Sequence, residues 1–428
     1  ASNNGVFYAV LTGTPRPVRE AGIEAMNPVP VCANGSGCAI PVFDQNPERL
    51  RVDADAIIGV TAPVVATGAV MTDVTAVIDY GFRTWTLDPL APLAPVGGLT
   101  ATAARARAAG EFTVASFNLQ RFFDTTNDAG ISDVALTPAA YALRLGKTSA
   151  AIRDYLHAPD VVGVQEAENL TVLQNLAARI DADALAAGQA APGYQAFLLE
   201  GNDIGGIDVG FLASSRVTVQ SVVQHGLTDT YVDPSDGSVD LLNDRPSLSL
   251  RATVAAAPGT LPAEVVVVVN HLRSLNDVDT PRVQAKRLAQ AEYVARLLGD
   301  LRAQYPGVPV VSVGDYNAFE VNDGYVDVLG IVRGAPAPAT EVVAFGGDLL
   351  TPDFLLAPVV ANTPADQTYS YSFDGNAQSL DHVLVSVEAA QVLTAFDHAR
   401  VNADFPEVLR GDVARVERTS DHDPAIAY

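Results

Sequence analysis

The chain has 428 residues, enough for two domains by default, and its 48% hydrophobic and 18% charged composition supports a sizeable core and excludes intrinsic disorder. The purest apolar run, Val265 to Val269, is strand-sized, so no stretch reaches membrane-spanning length. A net charge of −24 excludes a general nucleic-acid coat protein, because phosphate would be repelled at long range. It leaves room for an enzyme that meets a polyanion through a local basic strip and metal ions.

In chain order, residues 1–100 read as an all-β accessory domain, OB-like or sandwich. Short runs rich in Val, Ile, Tyr and Thr (Val6 to Leu11, Ala56 to Val60, Val74 to Tyr80, Thr84 to Leu87) alternate with Pro, Gly and Asn turns. The segment VCANGSGC holds the chain's two cysteines, Cys32 and Cys38. The first His is Cys38's distant successor His157, so a zinc site lacks ligands and a disulfide closing a polar loop is expected. A bridge implies an oxidising compartment, and a chain that opens at Ala1 rather than Met fits a processed, exported protein, secreted or periplasmic. Residues 101–110, after the Pro/Gly stretch Pro92 to Gly98, read as a linker.

From Glu111 onward strands and helices alternate. FTVASFN predicts a buried strand, and Leu145, Thr148, Ile152 and Tyr155 carry helical spacing across Leu143 to Leu156. DVVGVQ predicts a strand followed by a helix from about Leu170 to Leu185. EVVVVVNHL is a strand, and Thr280-Pro281 starts a helix that ends near Tyr305-Pro306-Gly307. VPVVSVGD, LDHVLVS and PAIAY are the later strands.

The polar residues at the ends of these runs carry the chemistry. VASF ends in Asn118, VVGVQ in Glu166, VVVVVN in His271, and VVSVG in Asp315-Tyr316-Asn317; Asp381-His382 and Asp421-His422 open two more strands. Singly, each is an ordinary turn former or surface residue. Jointly, if the ends share one side of the sheets, they converge on one pocket.

In order, the segments SFNLQRF, VGVQEAEN, DRPSL, VNHLRS, GDYNAF, SLDHVLVS and SDHDPAIAY resemble the endonuclease/exonuclease/phosphatase superfamily over about Glu111 to Tyr428, most of all its large secreted bacterial nucleases. The resemblance implies a four-layer α/β sandwich over 111–428, preceded by the small all-β domain, with the site at the top of two packed sheets. It places Asn118, Glu166 and Asp421 at metal-binding positions, where oxygen ligands suit Mg²⁺ or Mn²⁺, with Ca²⁺ a further option. It gives Asp315 and Asn317 the water- and phosphate-orienting roles. His422 becomes the general base or phosphate ligand, backed by Asp381. His271 becomes a second phosphate-side His and Arg245 a phosphate-binding Arg, with Asp208 as the expected partner of His271. Glu168 departs from the small deoxyribonucleases, which carry a basic residue there; it is expected to add a carboxylate near the metal. Lys286, Arg287 and Arg273 are candidates for a basic strip, and Asp229 to Asp244 reads as a solvated acidic loop.

The implied activity is metal-dependent hydrolysis of DNA or RNA phosphodiesters. A phosphatase or lipid phosphodiesterase of the same fold and a non-catalytic binding protein on this scaffold stand as alternatives, because specificity lies in loops the motifs do not reach.

Overall fold

A computed structural model of the chain describes residues 2, 4–55, 57, 59–81, 84–254, 263–346, 357–358, 363 and 367–428. Apolar runs without polar alternation must be covered on both faces, and the Ala263–His271 strand shows how. Val266 and Val268 join a core beneath the Pro281–Gln304 helix, while Val265, Val267 and Val269 join a second core between two sheets. A third core packs the Pro138–Ala150 and Leu170–Ala186 helices onto the other sheet through Phe117, Val162, Val164, Leu173 and Ile180. Helices, sheet, sheet and helices thus form four layers.

The first sheet runs Gln195–Leu198, Asp208–Ala213, Val161–Ala167, Val114–Phe122, Ala425–Ala427, Phe396–His398. The second runs Val217–Gln224, Leu248–Val254, Ala263–His271, Val310–Asp315, Asp381–Val385, Ala357–Pro358. In each, one central pair is parallel, Val114–Phe122 with Val161–Ala167 and Ala263–His271 with Val310–Asp315, and every other pairing is antiparallel. A helix crosses over between the members of each parallel pair, as parallel strands require. The sheets approach closely at Gly163, where an added Cβ would lie 2.5 Å from Val313 Cγ2.

Local signals set the helix starts. Thr137 accepts a hydrogen bond from Ala140 N with Pro138 in the first turn, and Asn169 accepts one from Val172 N. The first helix therefore begins before Leu143 and continues past Ala150 as a π-turn over Ala151–Tyr155.

The N-terminal residues form an open four-stranded sheet, ordered Val6–Ala9, Leu50–Asp53, Thr84–Pro89, Ala76–Gly81, over a small core of Phe7, Val52, Ala54 and Val65. Of the expected strand Ala56 to Val60, Ala56 and Ile58 lie outside the described residues. Ile57, Gly59 and Val60 are not in a strand, and Leu50–Asp53 supplies the central one. Between the strands, the chain leaves this sheet: Ile23, Cys32 and Ile40 enter the core under the Pro281–Gln304 helix. Cys32 and Cys38 are disulfide-bonded, and the loop they close is stitched to 339–342 by Ala33 N to Val342 O, Asn34 N to Ala339 O and Ala39 N to Thr340 O. The 101–110 stretch also lies against the body, with Thr102 bridged to Arg400 and Ala104 in the core under the Pro138–Ala150 and Leu170–Ala186 helices.

Candidate active site

Strand register assembles the site. In the second sheet His271 is paired with Asp315, and Asp315 with Asp381, so three polar side chains sit abreast on neighbouring strands. Gly314, at φ +150°, lets this happen, because a Cβ there would collide with the Asn270 carbonyl. In the first sheet Asn118 is paired with Gln165, and a bulge between Gln165 and Ala167 pushes Glu166 out at φ +61° toward Asn118. Gln120, Arg121 and Asn317 also hold left-handed backbone, a clustering typical of sites whose geometry is fixed by their surroundings.

The side chains then meet across the two sheets. Asn118 Nδ2 donates to Glu166 Oε1 at 3.1 Å and to Asp315 Oδ2 at 3.0 Å. Its Oδ1 accepts from Gln120 N, and Glu166 Oε2 accepts from Arg121 N at 2.8 Å. Arg144 braces this loop from the helical layer, donating to the carbonyls of Leu119, Gln120 and Arg121 at 2.6–2.8 Å. Asp315 Oδ1 accepts from Asn317 N, and Asn317 Nδ2 donates to Leu272 O. Arg287, expected on a basic strip, is instead buried and donates to the carbonyls of Asn317 and Arg273.

His422 Nδ1 lies 2.6 Å from Asp381 Oδ2, which also accepts from Ser370 Oγ at 2.7 Å. The Tyr371 ring stacks on the imidazole at 4.7 Å, and Ser420 Oγ ties this segment to the Asn118 carbonyl. Burial opposes a charge on His422, yet Asp381, Asp421 and Asp315 outweigh it and hold the ring well above the usual imidazole range. Burial, with Arg245 and His422 adding repulsion, drives His271 the other way, so it stays neutral. Burial and the neighbouring Asp381 push Asp315 up to about 7.

Glu166, His271 and Asp315 offer ligand atoms within 4.8 Å of one another, as do Asp315, Asp381 and His422. Glu166 and Asp315 face no Arg or Lys ion-pair partner among the described residues, and their carboxylates fit a hard divalent cation; Asn118 turns Nδ2 to both of them, so its Oδ1 would join only after the amide rotates away from Gln120 N. Asp421 stands to one side, its Oδ1 3.8 Å from His422 Nε2.

Two expected partners are elsewhere. His271 Nδ1 has no hydrogen-bond partner among the described residues; Asp208 turns to Gly201 N and Glu200, and burial first, then Glu200, raises it to about 7. Glu168 is grouped with Asp128 and Asp133 rather than with Glu166, and accepts from Asp124 N at 2.6 Å. Arg245 lies beside the group, gripped by Asp203 at 2.7 Å and by the carbonyls of His271 and Leu272. The acidic 229–244 loop is largely ion-paired, Asp233 with Arg282 and Asp244 with Lys286. Arg144, Ser370, Tyr371 and Ser420 were not legible as site residues; only Ser420 sits in a recognisable motif, SDHDP.

The group lies in a cleft of about 900 Å³ whose walls carry six basic residues, Arg19, Arg121, Arg245, Arg273, Arg282 and Lys286, among eight carboxylates, and Arg245 and Lys286 are paired with Asp203 and Asp244 of the same walls.

The sequence pattern described as the Endonuclease/Exonuclease/phosphatase family matches residues 115–422. No curated protein sequence matches the chain. Among solved structures, an endonuclease/exonuclease/phosphatase from Bacteroides vulgatus is similar at 14% identity over 74% of this chain and 97% of that one, with a TM-score of 0.44. Truncated TDP2 from Caenorhabditis elegans is similar at 15% identity over 74% and 96%, with a TM-score of 0.41. The human Nocturnin catalytic domain with bound sulfate gives 13% identity over 75% and 95%, with a TM-score of 0.44.

Proposed function

Because the chain belongs to the endonuclease/exonuclease/phosphatase family, we propose that it is a divalent-metal-dependent phosphodiesterase that hydrolyses nucleic acid, DNA first and RNA second, in an oxidising compartment outside the cytoplasm. The observation that carries this reading is the His422–Asp381 pair set among Glu166, Asn118 and Asp315 in one cleft. The disulfide supports the compartment.

Asn118, Glu166 and Asp315 would hold Mg²⁺ or Mn²⁺, with Ca²⁺ a further option, and the ion when bound supplies charge neutralisation at the phosphate. Asp381 fixes the His422 ring through Nδ1, so Nε2 is the atom left to exchange a proton with water or a phosphate oxygen. Asp315 and Asn317, linked by one backbone hydrogen bond, orient water and a phosphate oxygen. Neutral His271, beside Glu166 and Asp315, and the clamped Arg245 would act as hydrogen-bond donors to phosphate. Arg121 and Arg273 have no ion-pair partner among the described residues and are placed to follow a polyanion along the wall.

The deciding assay offers purified protein plasmid DNA, linear DNA, RNA and bis-p-nitrophenyl phosphate, each with and without Mg²⁺, Mn²⁺ and Ca²⁺. Glu166→Ala and Asn118→Ala are expected to lose metal-stimulated hydrolysis while keeping the wild-type circular dichroism spectrum. Hydrolysis that persists in excess EDTA would remove the metal from the mechanism.

A further inference from the structure

We propose that Asp128, Asp133 and Glu168 form a second divalent-cation site, of the calcium class and structural in role, separate from the catalytic group. One carboxylate oxygen from each lies within 4.8 Å of the others, the spread that bonds of about 2.3–2.6 Å to one central ion allow. Glu168 is 1% exposed and its Oε1 is buried without a hydrogen-bond partner, while its Oε2 is satisfied by Asp124 N. An unmatched buried carboxylate oxygen among further carboxylates is costly unless a cation or a proton answers it, and burial holds Glu168 up, to about 7. Among the described residues no Lys, Arg or His is ion-paired with any of the three, and the groups that bear on Glu168 are acidic: Asp124 and Asp128 through their charge and Asp133 through a side-chain contact.

Calcium rather than magnesium follows from the ligands. All are carboxylates, two of them come from a loop, and Asp128 is half-buried, which leaves an open side for water; this suits the larger ion's irregular shell of six to eight oxygens. The ion's mechanical effect follows from what the loop touches. Ser132 N donates to Ile204 O, and the Ile131 side chain packs over Gly206. The 203–206 turn is a wall of the cleft, and its Asp203 clamps Arg245. An ion at this point ties that wall to the strand that carries Glu166.

The site is tested on the full chain by calorimetric titration with CaCl₂ in the Glu166→Gln background, where binding that survives and is weakened by Asp128→Asn or Asp133→Asn lies outside the catalytic group. One Ca²⁺ is expected to bind there and to raise the melting temperature, and adding Asp133→Asn or Asp128→Asn should weaken it by at least about 10-fold. Circular dichroism in EDTA confirms that each variant is folded; if Asp133→Asn is not, the more exposed Asp128→Asn carries the comparison. No Ca²⁺ uptake by Glu166→Gln at millimolar CaCl₂, uptake unchanged in both Asn variants, or Mg²⁺ bound as tightly would each overturn the assignment. None of these outcomes depends on hydrolysis of any substrate, so the proposal stands or falls apart from the catalytic reading.

Discussion

His422 has one nitrogen committed to Asp381 and the other facing the cleft, and its partner is itself held by Ser370. His422→Ala is expected to lower kcat on DNA by about 10²–10⁴-fold, the range for a lost acid or base. Asp381→Asn should share much of that defect, and the double variant should fall well short of the product of the two, because both changes disable one unit. If both residues only cap strands, turnover stays near normal and the melting temperature drops instead. The pair also predicts a pH effect on stability in EDTA. The folded state raises the His422 pKa, against burial and through Asp381, Asp421 and Asp315, so it binds that proton more tightly than the unfolded chain. Its stabilisation is complete below about pH 6.5 and is lost as pH rises through the folded value. Asp381→Asn lowers that folded value. Urea midpoints between about pH 6 and about pH 9 should therefore decline earlier in the variant, and parallel profiles would detach the two residues.

At the scale of elements, the strands easiest to recognise are those buried on both faces, because coverage on both sides leaves apolar runs such as Val265–Val269 and Val161–Val164. Their polar ends were legible for the same reason: Asn118, Glu166, His271 and Asp315 fall where these apolar runs stop. Asp208–Ala213 and Leu248–Val254 are equally buried but stand next to irregular loops and were not picked out. Arg144 was illegible because its role depends on tertiary placement: on the helix surface it is an ordinary Arg until the Leu119–Arg121 carbonyls are brought against it. Arg144→Met is expected to weaken metal-stimulated activity by about 10–100-fold in apparent metal affinity, the usual cost of losing a group that orients ligands. Arg144→Lys should recover only part, since one ammonium cannot reproduce the planar fork. A metal-titration curve unchanged in Arg144→Met would confine the residue to packing. The sheet-to-sheet contact gives a second check: Gly163→Ala puts a methyl against Val313, which should cost about 1–3 kcal/mol in urea unfolding. Val313→Ala in the same chain should restore much of it, and simple additivity of the two losses would mean the sheets do not touch there.

For the whole molecule, the question is whether residues 1–100 are an accessory unit that can be removed. Composition suggested one, since the catalytic motifs all begin after Glu111 and the N-terminal strands are short and turn-rich. The packing argues for integration. Ile23 is completely buried and Ile40 nearly so, in the same core as Val294, Leu298, Leu329 and Leu384. Gly22 N donates to Asn322 O, Arg19 N to Ala377 O, and Thr67 N to Asp404 O, so these backbone hydrogen bonds, with those from Ala33, Asn34 and Ala39 to 339–342, cross the supposed boundary. Arg19, Ile23, Glu24 and Phe43 also line the catalytic cleft, which makes the segment part of the substrate wall. Cutting it away would expose the face of that core and orphan those acceptors. A chain beginning at Glu111 is therefore expected to be poorly folded, and the full chain should unfold in urea as one transition with no separate N-terminal phase. Ile23→Ala should cost about 2–4 kcal/mol, as a large-to-small change in a closed core does. The Cys32–Cys38 bridge closes a short loop, so reduction should cost no more than the low end of about 2–4 kcal/mol, and alkylation of non-reduced protein should label no thiols. The decisive comparison is the Glu111–Tyr428 fragment against the full chain by heteronuclear NMR and urea melting. A well-dispersed, cooperatively folding fragment with full hydrolytic activity would show that the N-terminal residues lean on the catalytic body without supporting it. A collapsed or aggregating fragment, together with a destabilised Ile23→Ala, would show that the core under the Pro281–Gln304 helix is completed only by chain from the N-terminal side.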